Sequence, residues 1–203
     1  MVDYLKAFER PFSGDKYIFL KAIIPIYNLA VFGYIIECIK NTWQGKDELP
    51  DWKKSSWLDK IILIFKTAIM PLIYFGIPFL IPIIIVFIYL KEINAIIPYL
   101  AYVILGILFL LMSYYSLAVI ISYIKNWRTE DIKYSRINKI IFSGKYFASW
   151  LVSFVLLSIM SYLTQLKISH WSWFSVVIYW IFQLTSWTII AESIREIEKE
   201  KRL

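Results

Sequence analysis

An all-α, polytopic membrane bundle is the fold this sequence predicts: four full spans, a short broken or re-entrant first segment, and interfacial amphipathic helices. Three observations carry that reading. Residues 95–124 run for thirty positions without one Asp, Glu, Lys, Arg or His. A helix of that length is about 45 Å long, whereas a hydrocarbon core of about 30 Å needs about 20 apolar residues to cross. Second, 60% of the 203 residues are hydrophobic and 19% are aromatic, against roughly 45–50% apolar residues in soluble domains. Third, two uncharged stretches of twenty-one residues, 146–166 and 171–191, follow one another across a four-residue link. Lipid offers the backbone no hydrogen-bond partners, so each such stretch must satisfy itself as a helix. One membrane domain, residues 1–203, uses the whole chain.

Residues 1–16 place Tyr4, Leu5, Phe8 and Phe12 at helical spacing with Lys6, Glu9 and Arg10 between them. That pattern predicts a short interfacial helix, broken at Pro11. Residues 17–40 hold the first apolar segment. Only fifteen uncharged residues lie between Lys21 and Glu37, which is short for a span. Pro25 and Asn28 sit near its middle, and Asn28 is a residue type that caps a helix. The segment is therefore either broken and re-entrant, or one kinked span whose Lys21 and Glu37 reach the two interfaces. Residues 41–60 form a polar loop set with Trp43, Trp52 and Trp57, residues that favour the headgroup level. Gly45 and Pro50 interrupt it, and Ser56 or Asp59 starts the next helix.

Residues 61–90 make a second long apolar segment. Pro71, Gly76, Pro78 and Pro82 lie within it and predict a bent span. A tight turn leads into the 95–124 span. Residues 125–145 are polar again. Lys133, Arg136 and Lys139 fall on one side of a helical wheel, and Tyr134, Ile137 and Ile141 on another. That is the pattern of a basic amphipathic helix in the headgroup layer. The spans 146–166 and 171–191 follow, and residues 192–203 form a charged tail.

Orientation follows from the distribution of Lys and Arg. With four spans and a re-entrant first segment, eighteen of the 22 basic residues lie on one side and two, Lys91 and Lys167, on the other. If the first segment spans, the split is fifteen to five. Either count puts both polar loops and the C-terminus in the cytoplasm. The net charge of +7 is thereby explained by membrane topology and anionic headgroups, without nucleic acid as a partner.

Little in the sequence points to chemistry. Cys38 is the single cysteine and His170 the single histidine, so neither a disulfide nor a His/Cys metal site is expected. Ser149, Ser153, Ser158 and Ser161 have no base or orienting acid nearby in sequence, and the Ser149–Ser153 spacing suits close helix packing. There is no HExxH, no phosphate-cradling glycine loop and no His/Cys cluster.

Three groups of residues stand together at the N-terminal side. They are Leu5 with Arg10-Pro11-Phe12; Pro25, Asn28 and Gly33-Tyr34; and Gly45 with Asp47-Glu48-Leu49-Pro50 and Trp52. In order and spacing they resemble a family of archaeal and bacterial membrane proteins known as domain of unknown function number four thousand and thirteen. The resemblance implies a multi-span integral membrane protein of about this length, with no established activity or catalytic residues.

Pro25, Asn28, Gly33, Glu37, Gly45, Leu49, Pro50 and Trp52 therefore form the candidate polar site, and Lys133, Arg136 and Lys139 the candidate lipid contact. No catalytic, cofactor or metal residue is assigned. The expected function is a non-catalytic scaffold or accessory subunit at the cytoplasmic face, binding anionic lipids and a membrane-protein partner or a second copy of itself. The alternative is a small oligomeric transporter or channel subunit that uses the broken first segment.

Overall fold

The computed structural model describes residues 2–13, 18–21, 25–46, 49–73, 80–81, 84, 96–165 and 172–201. Among them the fold is all-helical, with no strand. In chain order the α-helices are α1 (Tyr4–Glu9), α2 (Ile18–Lys21), α3 (Pro25–Trp43), α4 (Trp57–Pro71), α5 (Ile96–Asn126), α6 (Tyr134–Ile141), α7 (Gly144–Gln165) and α8 (Ser172–Lys201).

Local chemistry sets most of the ends. The Asp3 side chain accepts a hydrogen bond from the Lys6 N–H and caps α1, which passes at Pro11 into a 3-10 turn, Arg10–Phe12. α3 begins at Pro25, a first-turn position where a missing N–H costs little. It then runs without interruption through Asn28 and Gly33 to Trp43. Asn28 therefore lies within the helix and does not cap one, which corrects that reading of it. Residues 22–24, where a break would fall, lie outside the described residues. Ser56 and Asp59 make a reciprocal capping box at the start of α4. The Ser56 hydroxyl and N–H hold the Asp59 carboxyl below its ordinary value. Most of the expected 61–90 span beyond α4 also lies outside the described residues.

Among the described residues, three helical stretches are long and apolar enough to cross a membrane: Val103–Asn126, Gly144–Leu163 and Phe174–Lys201. They overlap the three segments expected at 95–124, 146–166 and 171–191, and the last runs ten residues beyond 191. Their burial is inside-out over part of their length. α5 exposes Val103, Ile107, Phe109 and Leu111, and α7 exposes Leu151, Val155 and Ile159. Apolar surface on this scale is at home in lipid rather than water.

The packed core lies towards the other end of these helices. There α5 buries Ala118, Val119, Ile121 and Ile124 against Tyr34, Ile35 and Ile39 of α3 and Trp187, Ile190 and Ile194 of α8. α8 is the centre, packed by α1, α2, α3, α5, α6 and α7 and buried all round from Leu184 to Ala191. Ser149 and Ser153 of α7 are buried at its side, and the Ser153 hydroxyl donates to the Ser186 carbonyl at 3.1 Å. Short side chains at that seam let the two backbones approach. α6 buries Ile137, Ile140 and Ile141 in the same core and leaves Tyr134 and Lys139 exposed.

An ion network closes this polar end. The Glu198 side chain is only 5% exposed. It accepts from Lys125 Nζ at 2.6 Å and from Arg136 Nη2 at 2.7 Å and Nε at 3.2 Å. Arg136 Nη1 also donates to buried Asp131 at 2.7 Å. The network joins the end of α5, the turn before α6, α6 itself and the last turns of α8.

Removing one partner of a buried pair costs about 3 kcal/mol or more. Glu198→Gln leaves Lys125 and Arg136 opposed, and unfolding in detergent followed by circular dichroism should show a loss near 3 kcal/mol. A change within about 0.5 kcal/mol, the range of an ordinary surface substitution, would show that the network does not hold this end together.

Candidate functional site

The sequence-predicted site residues converge in part where α3 crosses α4. The crossing is close because Gly33 lacks a side chain. A Cβ there would lie 2.6 Å from the Lys60 carbonyl carbon and 2.7 Å from the Lys60 Cβ. The loop between the helices folds back over the crossing. The Tyr34 hydroxyl donates to the Pro50 carbonyl at 2.8 Å. The Trp52 ring packs against Tyr34 with centroids 5.3 Å apart.

Lys60 sits at the centre and is 1% exposed. Its Nζ donates to the Ser55 carbonyl at 2.6 Å, the Ser55 Oγ at 2.8 Å and the Trp52 carbonyl at 2.9 Å. The Ser55 hydroxyl in turn donates to Glu37 Oε1 at 2.7 Å. One serine thus relays a buried cation to a carboxylate on the facing helix. Lys60 Nζ also lies 4.5 Å from the Trp52 ring centroid, and Lys21 Nζ lies 5.1 Å from it. Burial pushes the Lys60 ammonium below the usual lysine range, and the Glu37 carboxylate pulls it back up.

An ammonium has three N–H donors, and here all three are used. The arrangement therefore holds a loop onto two helices and leaves Lys60 no donor for a ligand. Gly33, Glu37, Pro50 and Trp52 belong to this cluster. Leu49 packs at the edge of the core, and Pro25 starts α3. Asn28 stands apart and, with Ser175, Val176, Tyr179 and Trp180, lines a cavity of about 170 Å³ between α3 and α8. Gly45 is also elsewhere. Its φ of +76° suits glycine, and a Cβ on it would come within 2.9 Å of the Arg195 guanidinium carbon. Of the three expected lipid contacts, Lys133 and Lys139 are exposed, while Arg136 is turned into the ion network described above.

Lys60 was not among the residues singled out, yet α4 carries a signal for it. Lys60, Leu63, Ile64 and Thr67 repeat at helical spacing and are buried or half-buried, while Ile62, Phe65 and Ile69 are exposed. In an apolar helix a recurring polar pair such as Lys60 and Thr67 marks the protein-facing side.

Among proteins of known sequence, the family described as "Protein of unknown function (DUF4013)" matches this chain over residues 17–167. The chain belongs to that family. The match takes in the Gly33–Lys60 crossing and the second polar loop, and it leaves Leu5, Arg10, Pro11 and Phe12 outside the matched stretch. No curated protein and no solved structure matched the chain. DUF4013 membership agrees with the resemblance read from the sequence and carries no activity with it.

The crossing makes Gly33 intolerant of any side chain. Gly33→Ala should cost about 1–3 kcal/mol through overpacking and should weaken the Tyr34–Pro50 clamp, read as increased proteolysis of the 44–56 loop. Gly106→Ala is the comparison, because nothing lies within 4 Å of a Cβ there. Equal midpoints for the two variants would show that α3 and α4 are not in close register at Gly33.

Proposed function

We propose that this DUF4013 protein is a multi-pass integral membrane protein of the cell membrane that serves as a non-catalytic scaffold or accessory subunit, with its packed polar end in the cytoplasm. The carrying observation is where the structure is dense. The core, the ion network and the Lys60 cluster all sit where the loops and the end of α8 meet. The polar groups of these two clusters are engaged with one another. The outer flanks of α5 and α7 carry little but apolar surface. Such a molecule is built to hold a surface in place.

In this reading residues 61–90 supply a fourth span and residues 17–40 enter and leave on the same side. Two contacts support the second point. Arg10 Nη2 donates to the Lys46 carbonyl at 2.7 Å, and Lys21 lies over Trp52. Residues that flank the first apolar segment on either side are thus brought together. The asymmetry of Lys and Arg places that side in the cytoplasm. Exposed Lys133 and Lys139 then face anionic headgroups, each contributing about 1 kcal/mol to attraction. The apolar side of α6 is already committed to the protein's own core, so this contact is electrostatic. A transport reading draws on a broken first segment; α3 is continuous through Asn28, and residues 22–24 lie outside the described residues.

Mild cross-linking followed by affinity capture from native membranes tests the function. The expected result is a membrane-protein partner in fixed stoichiometry. Recovery of a bare homo-oligomer that passes ions in liposomes would replace the scaffold reading with the transport one.

Orientation has its own measurement. Lys53→Cys and Lys133→Cys place thiols at exposed positions, whereas Cys38 is buried. A membrane-impermeant maleimide should label both variants only from the cytoplasmic side. Labelling from the outer side would invert the molecule.

A further inference from the structure

At the polar end, beside the ion network, the structure has an open cleft of about 350 Å³ lined by Trp43, Lys125, Arg195, Glu198 and Lys199. Three of its five walls are cations. Its one carboxylate is already shared between Lys125 and Arg136. Arg195 and Lys199 form no ion pair within 4 Å among the described residues. They are four apart on α8, so both side chains leave the same face of the helix. Lys125 Nζ lies 4.8 Å from the Trp43 ring centroid, which forms the opposite wall. Gly45 matters here as well: its bare backbone lets the chain pass against the Arg195 guanidinium where any side chain would displace it.

A cleft with surplus positive charge, a guanidinium fork and flanking ammonium groups suits an oxyanion that accepts several charge-assisted hydrogen bonds. We propose that this cleft binds a phosphate group, presented either by an anionic phospholipid headgroup or by a free phosphate. Arg195 grips the oxygens in two-pronged fashion, Lys199 and Lys125 supply further donors, and Glu198 is kept from repelling the anion by its two cations. The proposal goes beyond the scaffold reading and does not depend on it, because it concerns a site within one chain.

The test uses the full-length protein in a neutral, non-ionic detergent. Thermal midpoints are measured against rising concentrations of dihexanoyl phosphatidate, inorganic phosphate and, as the neutral-headgroup comparison, dihexanoyl phosphatidylcholine. Phosphatidate should raise the midpoint, as any ligand of the folded state does. Arg195→Gln and Lys199→Gln should each weaken that effect by about tenfold, the loss expected for one charge-assisted contact. Lys53→Gln, an exposed cation elsewhere, should leave it unchanged. A response to phosphatidate alone assigns the site to a lipid headgroup, and a response to both anions assigns it to the phosphate itself. If neither anion shifts the midpoint, or if the Arg195→Gln and Lys199→Gln variants respond as the parent does, the cleft is a solvated basic face and the proposal fails. No partner protein is present, so this outcome is independent of the affinity capture.

Discussion

One carboxylate organises the polar end of this protein. Glu198 is all but removed from solvent, and an unpaired charge in such a place costs several kcal/mol. The two cations that neutralise it come from positions 73 and 62 residues earlier in the chain. Satisfying Glu198 therefore fixes where α5 ends and where α6 lies against α8. The same requirement passes outward. Arg136 turns its remaining edge to Asp131, and the other oxygen of Asp131 accepts from Asn126 Nδ2 at 3.2 Å. The cations keep 17% and 20% exposure, so water still shares their charge while the carboxylate depends on them.

Several lysines of this end also meet tryptophan rings, Lys125 among them in addition to its carboxylate. Lys125 faces Trp43, Lys21 and Lys60 face Trp52, and Lys66 Nζ lies 4.6 Å from the Trp127 centroid. Aromatic faces attract such charges, most strongly where water is partly excluded. Trp127 shows that the contact is maintained against local cost. Its φ is 59°, a left-handed conformation that costs a non-glycine residue roughly 1–2 kcal/mol. The turn ends α5 and directs the ring between Lys66 and Tyr123, whose ring stands near-perpendicular with its centroid 5.5 Å away. Ring contacts on both sides offset the backbone strain.

What the sequence made legible was local. Uncharged runs located the three long helices because length and hydropathy are properties of a single segment. Pro11 and the Ser56–Asp59 pair located helix ends because caps and breaks act within four residues. What it hid was pairing across distance. A helical wheel grouped Arg136 with Lys133 and Lys139, since all three are basic and share a side. It held no information that Glu198, near the end of α8, would draw Arg136 inward. Pro25 was ambiguous for a different reason. The same residue breaks a helix from within or opens one at its first turn, and only the chain before it decides between them. The tryptophans of residues 41–60 read as membrane-surface anchors, and Trp57 is indeed exposed. Trp43 and Trp52 are half-buried and occupied by lysines, a use that composition cannot distinguish from the first.

The length of α8 explains why charge gathers where it does. Its thirty residues extend about 45 Å at about 1.5 Å per residue, whereas a hydrocarbon core is about 30 Å thick. On the proposed placement, with Ser172 near the outer interface, the last ten residues or so stand beyond the hydrocarbon. That stretch, Glu192–Lys201, holds Glu198 together with Arg195 and Lys199 of the cleft, and its Ile194 and Ile197 are buried nonetheless. A helix leaving lipid would ordinarily expose such residues to water. Here α6 covers part of them with its own isoleucines, and the Glu198 network fastens that cover down. The basic loop is therefore first a cap for the exposed end of the central helix, and any surface it offers to headgroups or a partner is the side left over once that work is done.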